Sequence, residues 1–422
     1  MGDFAHLRDV VGQLPFLKTY SHILLAFELK GYEESKDETT KCLQTASLKL
    51  TEAFPWLATK VVNRCSGPGN SGLFELEPCA LWSPPNTVLR VKDCSSLCPP
   101  CEDIVRRRGP CTMLDGGILG PRKAFPESYE ETEDDPTPVL AFQANFIRGG
   151  LLLDCAAQHN FIDMNGIEQC ESTKDHSQFK RPAASEKPPL LLRPNSPFFW
   201  RYFRFSAHKL KELKARAMPS EGCDPSVSYI STNDALTAFC WQRVTTVRLR
   251  RHQTPHATAK FCRAVDAWNT MGVPPGYMGD LVTIATSRMT FKDLVDAPLS
   301  VIAGVLRRDL NAVDTPDYIR SFATHIANTP DKSTIVYGGK LNPDTDIGSS
   351  PWARIQLCRV TFGPLGKPAL IRRPNFGPIR SDIYFISQLK SGDIDALLCF
   401  NEEDMDELIE EEEWSAYADY IG

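Results

Sequence analysis

PVLAFQANFIRGGLLLDCAAQHNFIDMNG, residues 138–166, is the stretch on which the fold reading turns. Val139 to Ile147 and Leu151 to Ala157 are apolar-rich runs of strand length, and Arg148-Gly149-Gly150 separates them, so the segment predicts a β-hairpin. Gln158-His159-Asn160-Phe161-Ile162-Asp163 follows the second strand. Asn165-Gly166 then breaks the extended pattern, and Ile167 to Cys170 can open a short helix. His159 and Asp163 are thereby expected on a strand-to-helix connection, where a rigid scaffold commonly presents side chains for chemistry.

On the N-terminal side, Leu43, Leu48 and Leu50 recur among polar residues between 36 and 53, with Phe54 just after, which predicts an amphipathic helix closed by Pro55. From Asn63 to Thr132 Gly, Pro and Ser come at short intervals, and apolar runs such as Val88 to Val91 are brief, so strands but few long helices are expected. On the C-terminal side, Lys174 to Pro197 is polar and Pro-rich, the composition of an exposed connection between domains. The boundary falls near residue 200. We take an N-terminal domain over 1–195, a crossover over 196–225 and a C-terminal domain over 226–422. Helices are predicted over Ala207 to Ala217, over Ala235 to Arg248 behind a Ser231-Thr232-Asn233-Asp234 cap, and over Phe291 to Leu310. Strands and helices mix without βαβ alternation, so the fold class is α/β in the broad sense, an α+β body with mixed sheets.

Bulk composition agrees with an enzyme-sized globular chain. The 422 residues suit two cores of roughly 200 residues each, and 42% hydrophobic with 24% charged residues is enough to bury them. A net charge of -6 argues against a nucleic-acid partner, which would require clustered cations. The acidic run from Asn401 to Trp414 carries Met405, Leu408, Ile409 and Trp414 at helical spacing and reads as a solvated helix face. Met1 to Lys18 lacks a signal-peptide pattern, and no window approaches a membrane span, so a cytoplasmic location is expected; separately, the chain is expected to be a monomer. Of the 14 cysteines, Cys94, Cys98 and Cys101 lie close together without a neighbouring His, which favours thiols over a metal site.

The chemistry centres on His159. An imidazole with an ordinary pKa near 6.5 is matched to taking a proton from a hydroxyl as it attacks an electrophile. A His followed four residues later by Asp is by itself a weak signal. The segment Gln158 to Gly166, however, resembles the His-x-x-x-Asp segment of the BAHD acyltransferases. Other segments match this family in order along the chain. Asp9-Val10-Val11-Gly12-Gln13-Leu14-Pro15 with Lys18 and Tyr20, and Trp200 to Ser206, are similar to fungal members of the trichothecene 3-O-acetyltransferase kind. So are Ser231 to Trp241, Pro274-Pro275-Gly276-Tyr277-Met278-Gly279-Asp280 and Trp352. Thr361-Phe362-Gly363-Pro364-Leu365-Gly366-Lys367-Pro368, followed by Arg372-Arg373-Pro374, resembles the family's Asp-Phe-Gly motif and its fungal extension.

The resemblance implies two similar chloramphenicol-acetyltransferase-like domains around a central channel. It also implies an acyl-coenzyme A co-substrate with no permanently bound cofactor and no metal, and a small-molecule acceptor, an alcohol of fungal secondary metabolism. His159 would be the catalytic base and Asp163 the structural support of its loop, held by a charge pair with an Arg. Lys367, Arg372 and Arg373 become candidates for the phosphates of coenzyme A, Lys as a point charge and Arg as a fork. Three positions depart from the family pattern. Trp268 stands near where the Arg partner of the loop Asp commonly falls, which leaves Arg263, Arg288 or backbone amides for Asp163. Asp280 stands where Asn is usual, and Thr361 where Asp is usual. These departures motivate an alternative on the same fold, a carrier-thioester condensation or an intramolecular cyclisation with His159 as base.

Overall fold

A computed structural model describes residues 4, 7–29, 32–125, 135–162, 197–219, 223–273, 279–336, 338–353, 357–386 and 391–422; the counts below concern these. The N-terminal half runs β1 (Tyr20–Glu28), α1 (Tyr32–Ala53), β2 (Thr59–Arg64), β3 (Leu73–Pro78), β4 (Leu89–Asp93), α2 (Cys101–Arg106), α3 (Gly116–Leu119), β5 (Leu140–Ile147) and β6 (Gly150–Gln158). Next come β7 (Phe198–Phe205), α4 (Ala207–Arg216), α5 (Thr232–His252), β8 (Thr258–Asp266), α6 (Trp268–Met271), β9 (Val282–Thr290), α7 (Phe291–Asp296), α8 (Leu299–Val313) and α9 (Pro316–Ala327). The chain ends with β10 (Ile347–Pro351), β11 (Leu370–Arg372), β12 (Asp382–Phe385), β13 (Ile394–Asn401), α10 (Glu402–Glu410), α11 (Glu412–Tyr417) and β14 (Ala418–Tyr420).

Two mixed sheets organise the molecule. The first has the order β11-β1-β6-β5-β4, and the second β14-β7-β13-β12-β10-β8-β9. The β5–β6 hairpin forms where the sequence places it, with Ile147 opposite Gly150, and β6 pairs antiparallel with β1 so that Gln158 faces Tyr20. That register brings the end of β6, and hence His159, to the start of β1. The first sheet is completed from the C-terminal half, because β11 pairs with β1 through Leu24 and Arg372. A buried cluster containing Phe27, Phe146, Leu151, Trp200, Tyr202 and Leu397 joins side chains of both sheets. Burial of these apolar side chains, at about 25 cal/mol per Å² removed from water, packs the two halves against each other. A second cluster, with Phe239, Trp241, Phe261 and Trp414, fills the space between the larger sheet and α5.

The sequence expectations need four corrections. Residues 196–225 are not simply a crossover, since β7 and α4 lie within them and β7 pairs with both β13 and β14. The predicted helix over Phe291 to Leu310 is two helices, α7 and α8, because Pro298 holds Ala297 out of the helical region at ψ 146°. Pro55 does more than close α1, as it opens a short 3-10 turn at Pro55–Ala58. The acidic C-terminal run is less solvated than expected: Asp404 and Glu411 are buried, with Asp404 bonded to Arg248 and Arg251, and Glu411 to Arg243. Helix α5 begins at the expected cap, where Ser231 and Asp234 form a reciprocal capping box. The expectations for Ile167 to Cys170 lie outside the described residues.

Candidate active site

His159 is the first residue past β6, and its backbone N–H donates to the Thr19 carbonyl at 2.8 Å. The chain then turns, with the Phe161 and Ile162 amides both donating to the Gln158 carbonyl. Asn160 is fully buried and ties this turn to the N-terminal segment, its side-chain amide donating to the carbonyls of Gly12 and Leu14. Gln158 in turn donates to the Asn160 side-chain oxygen at 3.1 Å. The packing leaves no room for a side chain at Gly12, where a Cβ would lie 2.1 Å from the Asn160 carbonyl oxygen. The segment Asp9 to Pro15 is therefore a brace under the loop of His159, made of hydrogen bonds and one obligatory close approach.

Across from the loop stands Asp280, just before β9. Its Oδ2 lies 3.3 Å from His159 Nδ1, and its side chain is 1% exposed against 22% for His159. Asp280 Oδ1 accepts the Val282 amide at 3.2 Å, and the Asp280 amide donates to Asp9 Oδ2 at 2.8 Å. Asp9 Oδ1 accepts the Gly12 amide at 3.1 Å. Three separate stretches of chain thus meet at one imidazole. A carboxylate this close to Nδ1 is a charge pair rather than an aligned hydrogen bond, and its negative charge stabilises the imidazolium that results when the ring accepts a proton. Asp9 is held in an acid form over an unusually wide range: burial first, and the charge of Asp280 second, push its carboxyl up to about 8.

Sequence reading singled out His159 but not its partners. Asp280 was noted only as a departure from the family pattern, and Asp9 only within a matching segment. The two are 271 residues apart, a separation at which spacing carries no signal. Asp163 and Tyr277 lie outside the described residues. Arg263, a candidate partner for Asp163, is committed elsewhere: it is 1% exposed and donates to Asp234 at 2.6 Å and to the Leu306 carbonyl at 2.7 Å. Trp268 opens α6 and packs with Ala267, Leu281 and Ile319, and Arg288 is exposed on β9.

The assignment of Arg372 and Arg373 to coenzyme A phosphates is corrected by their surroundings, for both are 3% exposed. Arg372 bonds Asp395 at 2.9 Å and donates to the Arg108 and Gly109 carbonyls, with its guanidinium over the Tyr202 ring. Arg204 holds the other side of the same carboxylate at 2.7 Å. Burial works to raise the Asp395 carboxyl, but Arg372 and Arg204 outweigh it and hold it below the usual range. Arg373 sits among the rings of Phe125, Trp200, Phe376 and Tyr384. Neither guanidinium is presented to a ligand outside the fold. Lys367 differs: it is exposed, in the turn between Leu365 and β11. Gly363 and Gly366 set that turn with φ of 51° and 71°, conformations that residues with a Cβ adopt at a cost. Among the described residues no group of His, Cys, Asp and Glu is arranged to hold a metal ion.

Residues 19–173 match the trichothecene 3-O-acetyltransferase-like N-terminal domain, and residues 171–415 match the transferase family. The chain belongs to the BAHD acyltransferases, in their fungal branch. It is 45% identical to the O-acyltransferase pigD of Monascus ruber over the whole of both chains. Identity to the O-acetyltransferase epaC of Aspergillus niger is 42%, covering 100% of this chain and 98% of that protein. Among solved structures, TRI101 of F. graminearum complexed with coenzyme A and deoxynivalenol superposes with a TM-score of 0.88 at 30% identity, covering 98% of this chain and 99% of that one. As a BAHD acyltransferase the chain has two domains of mixed sheets with a central channel, and its activity is acyl transfer. No described helix is long and apolar enough to cross a membrane.

Proposed function

We propose that this BAHD acyltransferase moves an acyl group, acetyl in the simplest case, from a coenzyme A thioester to a hydroxyl of a fungal secondary metabolite, with His159 as general base. The observation that carries the reading is the 3.3 Å approach of the Asp280 carboxylate to the His159 ring, a charge that favours the imidazolium formed when the base takes a proton. Relatives named as O-acyl- and O-acetyltransferases, and a superposable enzyme crystallised with coenzyme A, support the donor and the reaction class. His159 takes the proton of the acceptor hydroxyl as its oxygen attacks the thioester carbonyl. The C–O bond forms, the tetrahedral oxyanion collapses, the C–S bond breaks, and the imidazolium returns its proton to the departing thiolate. Coenzyme A is a co-substrate, spent at each turnover.

In this reading Asp163 steadies the catalytic loop, and the exposed Lys367 contacts the phosphates of the donor. The two domains divide at about residue 195. In the same reading the enzyme works as a monomer. A cytoplasmic location, where acyl-coenzyme A is available, completes the proposal. The test is mass spectrometry of free coenzyme A released from acetyl-coenzyme A with a panel of alcohols. Release should depend on the acceptor, and His159→Ala should lower turnover by about 10² to 10⁴ while the circular dichroism spectrum stays unchanged. A folded variant within a few fold of wild type would remove His159 from the mechanism.

A further inference from the structure

We propose that Asp9 is a positioning residue of the acyl transfer, acting through Asp280: the two buried carboxyls hold one proton between them, kept on Asp9, so that Asp280 stays charged against His159 Nδ1. The proposal rests on the acyl-transfer reading above and extends the catalytic apparatus to the N-terminal segment.

The geometry carries it in three steps. Asp9 is 4% exposed and Asp280 1% exposed, and the Asp280 amide donates to Asp9 Oδ2 at 2.8 Å, so the two carboxyls occupy one desolvated region. Two carboxylates so placed do not both ionise. Which one keeps the proton follows from their partners. Asp280 has at 3.3 Å an imidazole that becomes a cation during the reaction, whereas Asp9, among the described residues, accepts from two backbone amides, of Gly12 and Asp280. The charged groups acting on Asp9 are Asp280 and His159; Gln13, Gln158 and Asn160 around the brace are neutral, and the adjacent Arg8 pairs with Glu75 on β3. With no cation paired to it among the described residues, Asp9 is the member that stays protonated, in keeping with a carboxyl pushed up to about 8.

The folding consequence has a definite sign. The Asp9 value in the fold lies above its unfolded one, so the folded form holds a proton that the unfolded chain releases. Stability from this group is complete below the ordinary carboxylate range and is lost as the pH rises toward about 8. Asp9→Asn cannot release a proton. Its melting temperature relative to wild type should therefore climb as the pH goes from 5 to 8 and then level off, a readout that needs no substrate.

The kinetic arm compares wild type, Asp9→Asn and Asp280→Asn in the pH dependence of kcat/KM. In wild type an ionisation near pH 8 is expected. Asp9→Asn should remove it and lower kcat about tenfold at pH 7, leaving KM for acyl-coenzyme A within about twofold. Asp280→Asn should move the acid limb to lower pH by about one unit, since a charge beside the base is lost. A merely structural Asp9 would lower yield or kcat without reshaping the profile or the pH dependence of the melting difference, and that result overturns the proposal. If wild type transfers no acyl group from coenzyme A, the acyl-transfer reading fails, while the melting comparison still decides whether Asp9 keeps its proton.

Discussion

Replacing Arg372 with Met tests whether this guanidinium serves the fold or the donor. The long apolar side chain keeps most of the volume and removes the charge. Asp395 would retain Arg204, whose Nε and Nη2 bond its two oxygens at 2.7 and 2.9 Å, so the carboxylate is not orphaned. What is lost is the 2.9 Å pair between Arg372 Nη1 and Asp395 Oδ2, and the donors to the Arg108 and Gly109 carbonyls at 3.0 and 3.2 Å. Stranding a buried charge completely costs about 3–5 kcal/mol, and each unpaired buried carbonyl about 1–3. With two of the carboxylate's three bonds to arginine kept, about 3 kcal/mol is the expected total. For a cooperative unit of about 150–250 residues, each kcal/mol moves the melting temperature by about 2–4 °C, so the drop should be about 6–12 °C. Acid should narrow it. Because the Arg pair holds Asp395 below the usual carboxylate range, its contribution is present above that range and vanishes as the pH falls through the depressed value. Differential scanning fluorimetry from pH 7 down to 4, with acyl-coenzyme A kinetics at 25 °C, measures both sides of the argument. A melting temperature within about 2 °C of wild type, together with a tenfold rise in KM for the donor, would show that Arg372 reaches a phosphate and refute the buried-network account.

Lys367→Ala should raise KM for acyl-coenzyme A several-fold and leave the acceptor KM and kcat nearly unchanged, because the lost contact is to a remote part of the donor in ground and transition states alike. The effect should shrink with added salt, since the cation is exposed; an unchanged donor KM at low ionic strength removes Lys367 from the site. Gly12→Ala should displace the His159 loop, as the new Cβ would meet the Asn160 carbonyl oxygen at 2.1 Å. We expect about 1–3 kcal/mol of destabilisation and a kcat lower by about tenfold or more, and normal kcat with normal melting would deny the brace its role.

Local pattern made part of the fold legible. The β5–β6 hairpin and the capped start of α5 are written in contiguous residues: two apolar runs around a glycine turn, and a Ser three residues before an Asp. Where the outcome depends on distant pairing, the reading fell short. Phe198 to Phe205 alternates aromatic residues with Arg201 and Arg204 and is a strand, yet the Pro-rich stretch before it suggested a connection. Its place between β14 and β13 is decided by chain that follows about 190–220 residues later. The parallel pairings of β10 with β8 and β12 are likewise carried by a strand of five residues whose sequence, Ile-Gly-Ser-Ser-Pro, has no strand alternation.

The site divides along the same line. His159 was legible because the base lies in a compact motif next to a strand end. The Arg372-Arg373 pair was misread because adjacent cations resemble a solvated phosphate site until β11 is seen to run beside β1, under Arg108 and against Asp395 on β13. The departure at position 280 is the more instructive case. Counted singly, an Asp where the family usually has Asn looks like a weakened motif and an argument for different chemistry. In the fold, its carboxylate meets the imidazole at 3.3 Å and its backbone amide meets a second buried acid. A lone anion placed there would raise the cost of folding, and a neutral side chain would do less to stabilise the imidazolium. The pair resolves both demands, because Asp9 retains the proton that lets Asp280 keep its charge. The unit on which the chemistry depends is therefore Asp9, Asp280 and His159 together, and a substitution at any one of them has meaning only against the protonation state of the other two.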